Sequence, residues 1–285
     1  MLFFEIGGLP VVAEGEASLA ALERHAAFVP FRTTAPSEGD SLRWRLDAAV
    51  EKPDVSPCFV MPVGLAECRV YAVGERVCCE LGMDSGVRQA ARIEYEPAGD
   101  VVRLTPMPAE LLQFALWLAY NMQASARMCF GLHAAAVVKG DWSALFLGES
   151  GTGKSTHARL WCRTFPDCWL LNDDSPVVAF RDGALWAYGS PWSGKTPCYC
   201  TGCFPLRGLV RLSQASENRI VRLGPVKALA ALIPSFPPML VHTEPFRSRM
   251  FGMLEALLAQ SPTAVCALDC LPDIAAARCC LSALE

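Results

Sequence analysis

The chain has 285 residues, 52% of them hydrophobic and 19% charged, with 25 basic against 29 acidic side chains and a formal net charge of -4. So apolar a composition argues against a disordered chain, and the length allows one large core or two unequal domains. Arginines are scattered and the lysines are only Lys52, Lys139, Lys154, Lys195 and Lys227, so no basic stripe is present to hold a nucleic-acid backbone.

Opening MLFFEIGG, with an acid at Glu5 and no basic leader, the N-terminus does not read as a secretory signal, and a cytoplasmic location is expected. Residues 1–106 then break into short segments punctuated by Gly and Pro: LFFEI, WRLDAAV, PCFVMPV, CRVYAV, ARIEYEP and DVVRLTP. Alternation in RIEYE and VVRLT has the strand period, which predicts a β-rich N-terminal domain. The stretch after it has Pro108 at a first turn, Glu110 placed well against a helix dipole, and apolar residues at Leu111, Leu112, Ala115, Leu118, Ala119 and Met122. This predicts a helix over 108–127, within a connection spanning 107–130. Its apolar run, Leu111 to Tyr120, is broken by Gln113 and too short to span a membrane.

From 131 to 285 the pattern is α/β. HAAAVVKGDWSALFLGESGTGKSTHARLWCRTF reads as a strand pair, a glycine-rich loop and a helix, and CWLLNDDSPVVAFRDGALWAYGSP as strand, acidic loop, strand, Asp-Gly turn and strand. SRMFGMLEALLAQ predicts a helix, VCALDCLP a short strand, and DIAAARCCLSAL a final helix that Asp273 starts. The 14 cysteines are too dilute for a disulfide framework and read mostly as small buried hydrophobes. Their one dense cluster, Cys198, Cys200 and Cys203, lacks the second half of a zinc knuckle, so packing is preferred to zinc.

Gly148, Glu149, Ser150, Gly151, Thr152, Gly153, Lys154 and Ser155 fit GxxxxGKS completely, with Thr156 next. The glycines let successive N–H groups converge on phosphate oxygens, and the following helix turns its positive end to them. Lys154 can reach the β- and γ-phosphates and Ser155 can ligate magnesium. Asp173 and Asp174 follow a short apolar run, the placement of a magnesium ligand and of a base near a transferred phosphoryl group; which does which stays open. His133, alone among small apolar residues, is either packed or a partner of that acidic pair, and His157 is read as structural. In Tyr188–Thr196, YGSPWSGKT, Lys195 is the expected clamp for a phosphoryl group or an acidic substrate.

The order His133, GESGTGKS, Asp173-Asp174 resembles the catalytic domain of bacterial HPr kinase/phosphorylase, itself similar to the phosphoenolpyruvate carboxykinases. The resemblance implies an α/β P-loop HPr-kinase/PEP-carboxykinase-like domain. It also implies ATP with Mg2+ on Gly148 to Ser155, one aspartate as base toward a serine hydroxyl, and His133 tuning it. LLNDD with YGSPWSGKTPCY is also similar to HPr-kinase-like proteins found beside peptide-modifying enzymes, which implies a peptide or small protein as acceptor. Ala134 stands where the family has glycine and Thr156 where it has an acid, and the family's later region with a magnesium-directed glutamate and an Arg-Gly pair has no evident match. The expected activity is therefore ATP- and magnesium-dependent phosphotransfer to a hydroxyl. A non-catalytic ATP-gated binding module and a small-molecule kinase are the alternatives. Hexamers occur in that family, so a homo-oligomer is one open outcome.

Overall fold

The computed structural model describes residues 1–35, 40–63, 66–83, 90–194 and 196–285. In chain order its strands begin with β1 (Leu2–Ile6), β2 (Leu9–Glu14), β3 (Arg32–Thr33), β4 (Leu42–Arg45), β5 (Phe59–Val63), β6 (Ala66–Val73), β7 (Arg76–Met83), β8 (Ala91–Glu96) and β9 (Val101–Leu104). They continue with β10 (Cys129–Gly131), β11 (Ala134–Lys139), β12 (Trp142–Leu147), β13 (Cys168–Asn172), β14 (Val177–Arg181), β15 (Ala184–Tyr188), β16 (Cys203–Gln214), β17 (Arg219–Arg222) and β18 (Ala264–Cys270). The helices are α1 (Ala17–Glu23), α2 (Ala109–Ala124), α3 (Lys154–Thr164), α4 (Pro225–Leu232), α5 (Pro238–His242), α6 (Phe246–Gln260) and α7 (Ile274–Ser282).

The chain divides into two compact units, Met1–Met128 with Pro238–Met250, and Cys129–Pro237 with Phe251–Glu285. The first is built on one sheet in the order β3-β1-β2-β4-β9-β8-β7-β6-β5. It is mixed: β2, β4 and β9 run parallel, and β9 to β5 form an antiparallel meander. In β8 the residues Ala91, Ile93 and Tyr95 are buried and their neighbours half-buried, the alternation that a one-sided sheet imposes. The buried side of α2, with Leu112, Leu116 and Tyr120, packs on β4, β8 and β9, and the Tyr120 hydroxyl donates to the Ile6 carbonyl at 3.1 Å. The helix expected over 108–127 is therefore α2 with a further 3-10 turn, Ser125–Arg127, and it belongs to the first unit.

The second unit has α/β architecture on a second mixed sheet, ordered β10-β14-β15-β16-β12-β11-β13, with β18 beside β16 and β17 beside β18. All six residues of β12 are buried, as a strand covered on both faces requires. Phe146, Val137 and Val210 from the sheet meet Trp161 of α3 and Ala277 and Cys280 of α7 in one core. Asp273 starts α7 as expected, its Oδ1 accepting from the Ala276 N–H at 2.8 Å. Among the described residues no helix is long and apolar enough to cross a membrane.

Strand direction selects what comes together. Strand β11 is antiparallel to both β12 and β13, with Ala134 opposite Leu147 and Ala136 opposite Asn172. The start of β11 therefore lies beside the ends of β12 and β13. Strand β16 runs parallel to β12, with Arg211 opposite Leu147. His133, the loop after Leu147, the carboxylates after Asn172 and the end of β16 consequently share one sheet edge, the edge where open α/β sheets carry ligands.

Candidate phosphate-binding and phosphotransfer site

The loop from Gly148 to Gly153 joins β12 to α3 with Gly151 at φ +85° and Gly153 at φ +101°, conformations open to glycine and strained for other residues. A Cβ at Gly148 would lie 2.5 Å from Thr152 Oγ1. Thr152 Oγ1 and N–H both donate to the Glu149 carbonyl, at 2.9 and 3.3 Å, which closes the turn. Gly153 provides no side-chain cap for α3, so the first-turn N–H groups face the loop without an internal acceptor of that kind. Lys154, buried at the start of α3, folds back and donates from Nζ to the carbonyls of Gly148 at 2.8 Å and Glu149 at 3.2 Å. Burial lowers its pKa, Arg211 adds to that, and Asp174 and Glu149 oppose it.

Two further side chains brace the loop. Arg211 of β16 pairs with Glu149 Oε1 at 2.8 Å, and Gln214 donates to the Gly151 carbonyl at 3.1 Å. Neither stood out in the sequence, because their place depends on β16 lying beside β12. The same strand carries Arg207 and Gly208. There Arg207 lies over the Trp142 ring at 4.9 Å, and a Cβ on Gly208 would meet Leu284 Cδ2 at 2.6 Å, which are packing roles.

The paired aspartates have different surroundings. Asp174 Oδ1 stands 3.9 Å from His133 Nε2, an ion-pair distance too long for a hydrogen bond, and both side chains are nearly half-exposed at 47% and 45%. Partial desolvation raises the Asp174 pKa, with Asp173 adding and His133 and Lys154 opposing; desolvation and then Lys154 lower that of His133. Asp173 is buried, and its Oδ1 accepts from Ser193 Oγ at 2.6 Å and Gly194 N at 2.9 Å. It ties the 193–194 turn to the end of β13.

Asn172, which the sequence reading passed over, organises both. Its Oδ1 accepts from the N–H groups of Asp174 and Ser175 at 2.9 and 2.8 Å, and its Nδ2 donates to the Trp192 carbonyl at 3.0 Å. An Asn just before an acidic pair at a strand end was the available signal, since its amide mimics a turn of backbone. Lys195 lies outside the described residues. Thr156 and Ser155 occupy the first turn of α3, and Thr156 lines a cleft of about 370 Å3 with Gly151, Gly153, Leu160, Gln214 and Leu271.

His157 is buried behind the loop in a structural place, its Nε2 accepting from Trp161 Nε1 at 3.1 Å, and burial pulls its pKa down to about 4. Cys198 and Cys200 bring their sulfurs to 3.9 Å and both face the Leu170 carbonyl; burial pushes the Cys198 thiol up to about 12. Among the described residues no group of three or more His, Cys, Asp or Glu side chains is arranged to hold a metal.

No protein-family model matches the sequence, and no curated protein does. Among solved structures, the HPr(Ser) kinase/phosphatase from Coxiella burnetii matches at 14% identity and a TM-score of 0.25, over 33% of this chain and 77% of that one. A likeness of that extent assigns no role to any residue here.

Proposed function

We propose that the chain is a phosphotransferase that uses ATP and magnesium to phosphorylate a hydroxyl, that of a serine on a peptide or small protein. The observation that carries this reading is one of place: the sheet brings the uncapped start of α3, Lys154 and the Asp174–His133 pair to one edge, each within the field of the others. The loop suits a polyphosphate, because among the described residues Lys154 Nζ is held by the loop's own carbonyls and glycines leave the backbone bare. Magnesium on a polyphosphate takes one or two protein oxygens and keeps water for the rest, and Ser155 with Asp174 would supply them. The cleft beside Gly151 and Thr156 has room for the nucleoside. Bound MgATP supplies an activated terminal phosphoryl group.

The residues of the chain do the remaining work. Asp174, its proton affinity raised, accepts the proton of the incoming hydroxyl at a carboxylate oxygen. His133 tunes that carboxylate through its field, Asp173 and Asn172 hold the turns on either side, and Lys154 offsets developing negative charge, joined in this proposal by Lys195. The acceptor class rests on the resemblance in the 170–200 region. One observation favours the non-catalytic alternative: Asp173 Oδ1 is engaged by Ser193 and Gly194, which leaves that carboxylate one oxygen for a metal or a proton.

The test is a calorimetric titration of MgATP into the wild type, Lys154→Ala and Asp174→Asn, with the nucleotide assayed afterwards for ADP. Lys154→Ala is expected to lose binding, and Asp174→Asn to keep it within about threefold while losing ADP formation. Binding in the wild type without any ADP, with or without peptide, moves the non-catalytic reading to first place. Equal binding by Lys154→Ala removes the phosphate loop from the argument.

A further inference from the structure

A carboxylate inside a phosphate loop is electrostatically out of place, yet Glu149 sits second in the loop with 70% of its side chain exposed. What balances it is Arg211, whose guanidinium is 24% exposed and donates from NH1 to the Ala231 carbonyl at 3.2 Å and from NH2 to Glu149 Oε1 at 2.8 Å. A guanidinium has five N–H donors, so these two contacts leave it able to grip a second anion. The Glu149 carbonyl is also one of the two that hold Lys154 Nζ. Pair and lysine thus serve the same end of the loop, and both Glu149 and Arg211 act on the lysine's charge.

Resting on the phosphate-binding reading above, we propose that Glu149 is a built-in stand-in for the terminal phosphate and that Arg211 is the cation it gives up. With the loop free of polyphosphate, Glu149 neutralises Arg211. A third phosphate displaces the carboxylate into solvent, which its exposure allows, and takes Arg211 in its place. A diphosphate leaves the internal pair intact. The exchange makes the loop select nucleoside triphosphate over diphosphate by charge, with Arg211 as the discriminating residue.

If instead the pair only braces the loop, removing either partner loosens it and weakens every nucleotide. The two accounts differ in sign for Glu149→Gln, an exposed substitution that the fold tolerates. Calorimetry with MgATP and MgADP on the wild type, Glu149→Gln and Arg211→Gln decides between them. Glu149→Gln is expected to tighten MgATP by about threefold or more, while Arg211→Gln weakens MgATP by about tenfold and MgADP by less than about threefold. Weaker MgATP binding by Glu149→Gln, or equal losses of the two nucleotides in Arg211→Gln, overturns the exchange and leaves the phosphate loop standing. A folded wild-type chain that binds neither nucleotide overturns the phosphate-binding reading itself, and this one with it.

Discussion

At the scale of single residues, identical side chains in this protein are set apart by what surrounds them. Asp173 is buried under two hydrogen bonds to one oxygen, whereas its neighbour Asp174 faces a histidine and the loop lysine. The sequence offered the pair, and the division between them came only from the turn that Asn172 shapes. His157 shows the same dependence. At 2% exposed, edge-on to Phe146 and accepting from Trp161, it is neutral in the fold with a pKa of about 4 against 6.5 unfolded. A histidine whose folded pKa is depressed leaves stability whole above the unfolded pKa and removes it as pH falls toward the folded one. The second unit is therefore expected to lose on the order of 3 kcal/mol between pH 7 and pH 4 from this group. Urea unfolding across that range should show a shallower acid limb for His157→Gln, whose amide oxygen can still accept from Trp161. Identical limbs would refute the assignment.

At the scale of elements, legibility followed the range of the forces that make each one. The strand, loop and helix around GESGTGKS and the helix started by Asp273 are local, coded by adjacent apolar runs, glycines and a cap, and they were readable. Helix α1 was not. Its N-terminal N–H groups at Glu16 and Ser18 are capped by Asp47, which no neighbouring pattern announces. Strand β16 was also missed. Its first residues pair with β15 and its later ones lie between β12 and β18, so no single period runs along it. The YGSPWSG segment owes its course to the same kind of distant contact: a Cβ on Gly189 would collide with the backbone carbonyl of Cys200. Neither atom belongs to a flexible side chain, so Gly189→Ala is expected to destabilise the second unit by roughly 2 kcal/mol or more and to displace Ser190 to Gly194. A melting temperature equal to that of the wild type would show that the two segments are not in such close approach.

At the scale of the whole molecule there are two sheets and two compact units, and the glycine-rich loop 148–153, His133 and Asp174 all lie in the second. Ligand that binds the folded loop should stabilise that unit by about 2.7 kcal/mol at a hundred times its dissociation constant. Scanning calorimetry is expected to show the transition of the second unit rising with MgATP while that of the first stays in place. Equal rises of both would contradict the assignment of the site to one unit.

The path of the chain through those units bears on how the protein is made. Residues 1–128 leave the first unit short of Pro238–Met250, and Cys129–Pro237 leave the second short of Phe251–Glu285, which includes β18, the neighbour of β16. On the ribosome, then, neither sheet-bearing unit is complete when its main segment emerges. The glycine-rich loop is synthesised well before the strand that flanks Arg211 on its far side, so the nascent chain must keep two unfinished cores from aggregating until residues 238–285 have left the exit tunnel. A stop introduced after Pro237 would leave both units without a part of their core and should yield insoluble product rather than a free-standing second unit.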